Sequence, residues 1–276
     1  MTAFGDDLNP RGALSIYGAK PNDSAFQYEG PLWHQDLHIL FYTTTHEAIA
    51  KVLPNPLEPN YDLPPVCMAV SWQTEMRLAD GRNHNYVGIS LNPACRFKEV
   101  SGQCCVFEYV DGIDGDKTAG AEIVQTIGIN MGCNKKLGNI TRKPDGNEHV
   151  MTCERRGQPL IEARFRNFKH VEDISPVFAE NPALAAVLAG RSLGVREIPK
   201  PNHNGFDIRS VVAMGHAMGN ISEISLGEGS LELWHGETDP VDLLEVVEYG
   251  PAIHMKQSTG SEVWTNTEEL ERLPTD

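Results

Sequence analysis

The sequence is poor in positive charge. Its 23 lysines and arginines face 38 aspartates and glutamates, a formal net charge of −15 at pH 7. Such a field repels nucleic-acid phosphates instead of neutralising them, so no nucleic-acid partner is expected. No apolar run approaches the roughly 20 residues that a bilayer-spanning helix needs, so no membrane partner is expected either. The first residues (MTAFGDDLNPRGALSIYG) show no basic stretch leading into an apolar one, which leaves a cytoplasmic location as the expectation. No Cys-x-x-Cys pair occurs among the six cysteines. A zinc framework or disulfide scaffold is therefore not expected, and reduced, mostly buried thiols are. Internal repeats and linker-like tracts are also absent. Residues 1–276 read as a single domain with irregular ends at 1–25 and 265–276.

What is present is mostly strand. His38–Thr43, Val66–Trp72, Tyr86–Leu91 and Gln103–Val110 are short and rich in β-branched and aromatic residues. His149–Arg155 and Leu160–Phe168 flank a turn at Arg156-Gly157-Gln158-Pro159. Ile221–Leu226 and Ser230–Trp234 flank Gly-Glu-Gly, and Leu243–Tyr249 and Ala252–Gln257 flank Gly-Pro, so two further hairpins are expected. A capping box at Thr44-Thr-His-Glu47 predicts a helix that Pro54 stops. Asn181-Pro182 predicts a second that Gly190 ends, and a third is expected over Ala119–Ile127. The fold class is α+β and mainly antiparallel β.

The chemistry centres on Cys-Asn-Lys-Lys-Leu-Gly at positions 133–138. Adjacent lysines are usually a solvated patch. A lysine that attacks a carbonyl must instead be neutral, and burial or a second cation lowers its pKa from about 10.4. Depressed-pKa Schiff-base lysines are exemplified by acetoacetate decarboxylase. The sequence resembles that superfamily over most of its length. Lys135–Gly138 matches the family's Lys-Lys-Leu-Gly. Leu37–Glu58 is similar to its opening strand, helix and Pro-x-Pro-Leu-Glu, Phe97-Lys98-Glu99 to its aromatic-x-Glu element, and Tyr109-Val110-Asp111 to the strand end before the catalytic helix.

The resemblance implies a barrel or cone of strands with a few inserted helices. It also implies Lys135 as Schiff-base nucleophile, Lys136 as its cationic neighbour and Glu99 as proton shuttle, with Gln35, Tyr109 and Met131 toward the substrate. Neither metal nor organic cofactor is implied. The expected partner is a small carbonyl compound, and the expected assembly a homo-oligomer. Departures from the pattern bear on substrate. Gln35 stands where the decarboxylases carry a carboxylate-binding arginine, no acid occupies the neighbourhood of Ala69, and Gly128-Ile129 replaces an Arg-Glu pair. The implied activity is thus a Schiff-base lyase acting on a ketone or keto acid larger than acetoacetate. The alternatives are an aldolase–dehydratase or cyclase on a polyketide-like substrate using the same imine, and a non-catalytic binding protein. His34 and His38 fall in a strand, where i,i+4 spacing is not a helix face, and without a third ligand no metal site is assigned to them.

Overall fold

The computed structural model of the chain describes residues 33–77, 83–113, 120–121, 124, 128, 132–214, 219–259 and 268–275. In chain order its strands are β1 (Trp33–Thr43), β2 (Glu58–Pro59), β3 (Val66–Arg77), β4 (Asn83–Phe97), β5 (Val100–Gln103), β6 (Phe107–Gly112), β7 (Lys135–Leu137), β8 (Asn139–Asp145), β9 (Glu148–Arg155), β10 (Gln158–His170), β11 (Arg191–Pro199), β12 (Phe206–Met214), β13 (Asn220–Leu233), β14 (His235–Gly236), β15 (Asp239–Pro240), β16 (Glu248–Thr259) and β17 (Glu268–Arg272). Helices α1 (His46–Val52), α2 (Ser175–Glu180) and α3 (Pro182–Ala189) interrupt them.

One sheet dominates, in the order β17-β12-β11-β5-β4-β3-β1-β16-β13-β10-β9-β8, with β2 and β6 also pairing with β4, and β7 with β6. Two pairings, β5 with β11 and β6 with β7, are parallel, and the other ladders are antiparallel. The expected α+β, mainly antiparallel class is the one observed. The sheet is not closed into a barrel. β8 and β6 approach each other without sharing a ladder. Their seam is crossed where Gly138 N donates to Val110 O (3.1 Å) and Ile140 N donates to Asp111 Oδ2 (3.2 Å).

Side-chain alternation on these strands sorts the core onto two faces. On β1, Leu40 and Tyr42 join one apolar cluster with Tyr109, Met151, Cys153 and Phe165, while Leu37, Ile39 and Phe41 join the other with Trp72, Val110 and, from α3, Leu184 and Val187. Each such side chain, buried on both sides of the sheet, contributes about 1.5–3 kcal/mol.

Local structure departs from the sequence reading in instructive places. Thr45, not Thr44, caps α1 by accepting from Ala48 N at 3.0 Å. Helix α3 starts at Pro182 as expected, but α2, which carries no buried side chain, was not anticipated. Gly227-Glu228-Gly229 makes no turn, since β13 runs straight through it opposite β10. The two glycines are needed there because a Cβ at Gly227 would press on the Arg166 carbonyl and Phe168, and one at Gly229 on the Arg164 carbonyl and Leu40. Gly250-Pro251 likewise lies inside β16, and Val241–Leu244 is a 3-10 turn. The expected strand 103–110 breaks at Cys104–Val106 into β5 and β6. The hairpin at Arg156-Gly157 holds, both residues having positive φ. Most of the helix expected over 119–127 lies outside the described residues.

Candidate active site

Strand β6 is buried along its whole length although it contains Glu108 and Asp111. Strand β7 pairs parallel to it in the register Glu108 with Lys135, Tyr109 with Lys136 and Val110 with Leu137. Consecutive strand residues point to opposite faces, so this register gives each lysine a different partner. On one face the Lys135 ammonium donates to Glu108 Oε1, with both side chains about 95% buried. On the other, Lys136 donates to Asp239 Oδ1 at 2.6 Å. Asp239 also accepts from the Tyr109 hydroxyl (3.0 Å), Arg155 (2.6 Å) and Thr238 (2.8 Å).

The electrostatics of Lys135 reverse the expectation from sequence. Burial works to lower its pKa, but the Glu108 carboxylate, with Cys133 and Tyr86 adding to it, outweighs burial and holds the ammonium well above the ordinary lysine range. The strand turns Lys136 to the opposite face, against Asp239. Glu108 Oε2 is buried with no hydrogen-bond partner among the described residues, which leaves a free acceptor beside the amine. The indole of Trp72 lies 5.7 Å from the Lys135 nitrogen. It can lie flat across β4 because a Cβ built on Gly88 would fall inside the ring.

Lys135 lines a cavity of about 320 Å³ whose wall combines Val52, Val106 and Val195 with Cys104, Cys105 and Cys133. Burial pushes the Cys133 thiol up to about 12, and those of Cys104 and Cys105 well above their usual range. Gly128 backs the lysine stem, and a Cβ there would stand 3.2 Å from that of Lys135.

The other residues singled out from sequence are scattered. Glu99 is exposed in the turn between β4 and β5 and does not line the Lys135 cavity. The buried carboxylate beside the lysine is Glu108. Tyr109 faces Asp239 instead of Lys135. Gln35 does share the Lys135 face, but it donates to Thr74 (3.3 Å), accepts from Gln257 (2.9 Å) and lines a separate surface groove. Met131 lies outside the described residues. Glu108 had one signal in the sequence, a lone carboxylate inside the apolar run Cys104–Val110.

A second polar cluster sits at the end of the inner face. Asp36, His38 and His254 bring ligand-type atoms within 4.8 Å of one another. A guanidinium can only donate, so where Arg142 meets His38 Nδ1 at 2.8 Å the ring accepts, and its proton is on Nε2. Burial and Arg142 push the His38 pKa far down, so the ring stays neutral. Arg142 also donates to Asp36 and fills the space between these ligands with its own charge.

The acetoacetate decarboxylase family profile matches residues 17–268. The chain belongs to the acetoacetate decarboxylase family. No protein of curated function matches it. Among solved structures, acetoacetate decarboxylase from Legionella pneumophila superposes with a TM-score of 0.67 at 13% identity, over 88% of each chain. The enduracididine biosynthesis enzyme MppR complexed with pyruvate superposes with a TM-score of 0.64 at 18% identity, over 91% of this chain and 95% of that one. MppR has also been captured with the condensation product of pyruvate and imidazole 4-carboxaldehyde (TM-score 0.62, 18% identity, 86% and 90% covered). At these identities the likeness carries the family fold, not the substrate. No helix among the described residues is long and apolar enough to cross a membrane.

Proposed function

We propose that the chain is a Schiff-base-forming carbon–carbon lyase, with Lys135 as nucleophile and Glu108 as the group that holds and returns its proton. Its substrate is a ketone or keto acid larger than acetoacetate. The observation that carries this reading is the buried Lys135–Glu108 pair beside the cavity. Within the pair, a proton passes from Lys135 to Glu108 and frees the amine. The amine adds to the carbonyl carbon, and the carbinolamine hydroxyl leaves as water with the proton that Glu108 held. The product is a protonated imine next to a carboxylate. The site therefore begins and ends with one positive and one negative charge, and Glu108 only lends its oxygen in between. The imine cation then draws in the electrons of a carbon–carbon or carbon–hydrogen bond at the adjacent carbon.

The test is incubation with a methyl ketone and borohydride, followed by peptide mass mapping. The adduct is expected on Lys135 and absent in Lys135→Ala. An adduct on another lysine, or none with any carbonyl compound, overturns the reading, and the latter favours a binding protein. A second reading, an aldolase–dehydratase using the same imine, is supported by the fold likeness to MppR with its condensation product. Deuterium uptake at the ketone α-carbon without carbon dioxide release from keto acids would select it.

A further inference from the structure

The Lys135 nitrogen lies near the face of Trp72 as well as against Glu108, and the lyase reading above uses only the carboxylate. Trp72 is buried on the Lys135 face of β3, and Leu37 and Gly88 stand opposite it on β1 and β4. Two features fix the indole. Gly88 leaves no side chain beneath it, and Tyr86, itself hydrogen-bonded to Thr74, shares a hydrogen bond with it. An apolar residue of similar volume would seal the core equally well without Gly88. The particular feature of an indole at this place is its electron-rich face, 5.7 Å from the ammonium nitrogen.

We propose that Trp72 is a catalytic residue of the Lys135 reaction, stabilising the protonated imine through its ring face. The proposal rests on Lys135 being the imine-forming lysine. An ammonium is compact and is met by Glu108 along one N–H direction. The iminium that replaces it is planar and spreads its charge over nitrogen and carbon. It keeps one N–H for Glu108 and leaves a flat cationic surface for which a carboxylate has no complement. A ring face provides one, at a site from which water is excluded. The interaction is stronger with the desolvated iminium than with the free ketone, so it favours the intermediate over the bound substrate.

The test uses borohydride trapping at increasing ketone concentration in the wild type, Trp72→Phe and Trp72→Leu, with folding checked by circular dichroism. The limiting trapping rate should fall roughly two- to thirtyfold in the leucine variant. The half-saturating ketone concentration should stay put, and phenylalanine should restore most of the rate. Gly88→Ala, which displaces the indole, should behave like the leucine variant. In the wild type, imine formation should also quench tryptophan emission, and Trp72→Phe should lose that quench, which reports the contact between ring and imine, while the unchanged half-saturation and the phenylalanine rescue set the role apart from packing. Equal rates in wild type and leucine variant, or phenylalanine and leucine equally impaired with no quench in the wild type, overturn the role of Trp72 and leave Lys135 in place. No adduct in the wild type overturns both.

Discussion

Lys135 and Lys136 are neighbours in sequence, each ion-paired to a carboxylate, and yet they occupy opposite environments. Glu108 meets Lys135 with one oxygen and leaves the other bare, whereas Asp239 has four donors for its two oxygens. Burial works to raise the Asp239 pKa, but Lys136, Thr238 and Tyr109 outweigh it and hold the carboxyl down at about 2. A fully satisfied buried pair has no capacity left to exchange protons, and it anchors β14–β15 and β7 to the sheet. An under-satisfied pair beside a cavity can trade its proton. One β-strand thus gives two lysines a single residue step apart an under-satisfied and a fully satisfied partner.

That contrast can be broken most severely at Glu108. Glu108→Gln should lower the limiting rate of adduct formation about a hundredfold or more, as expected for loss of a positioned acid–base group. It should also move the pH midpoint of adduct formation downward. Without the carboxylate that holds Lys135 protonated, burial acts alone and lowers its pKa. Stopped trapping across a pH series reads both quantities.

Asp239→Asn should spare that midpoint and cost roughly 3–5 kcal/mol of stability, because Lys136 and Arg155 lose their buried partner. The wild-type carboxyl is depressed from 3.8 to about 2. Its contribution, about 2.5 kcal/mol, is complete above pH 4 and is lost as pH falls toward 2. Urea melts at pH 7 and pH 2.5 should therefore converge in the variant relative to wild type. Lys136→Gln removes one of four donors and should cost less, about 1.5–3 kcal/mol, while leaving the adduct midpoint unchanged. A shifted midpoint would return Lys136 to the mechanism. The smallest effect is expected from Gln35→Arg. Gln35 is tied to Thr74 and Gln257 outside the cavity, so carbon dioxide release from acetoacetate should stay low in both wild type and variant. Brisk turnover by either would restore a plain decarboxylase with its carboxylate held near β1.

The sequence made Lys135 legible because Lys-Lys-Leu-Gly arrives with a matching order of elements around it. It made Glu108 nearly illegible. A glutamate between Phe107 and Tyr109 reads as the outward residue of a half-exposed strand, and only the pairing of β7 on that edge buries it. Lys136 shows the same limit: adjacency along the chain suggests shared surroundings, and strand alternation separates them. Glu99 was assigned from resemblance alone, and its place in a tight turn after Lys98, which has positive φ, puts it in solvent. The antiparallel class followed from composition, but β13 passing through two glycines could not, since the need there is the close β10 backbone at Arg164 and Arg166, with Phe168 and Leu40 beside it.

The sulfur-lined wall of the cavity has a consequence for selectivity among nucleophiles. A ketone entering it meets Cys104, Cys105 and Cys133 as well as Lys135, and a thiolate would ordinarily outpace an amine at a carbonyl or an enone. Burial keeps all three as thiols at neutral pH, Cys133 with a pKa of about 12. Glu108 already accepts a hydrogen bond from the Lys135 ammonium. In the proposed reaction, the same burial that leaves the sulfurs protonated favours nitrogen, which among the described residues of the wall is the nucleophile with a carboxylate in contact.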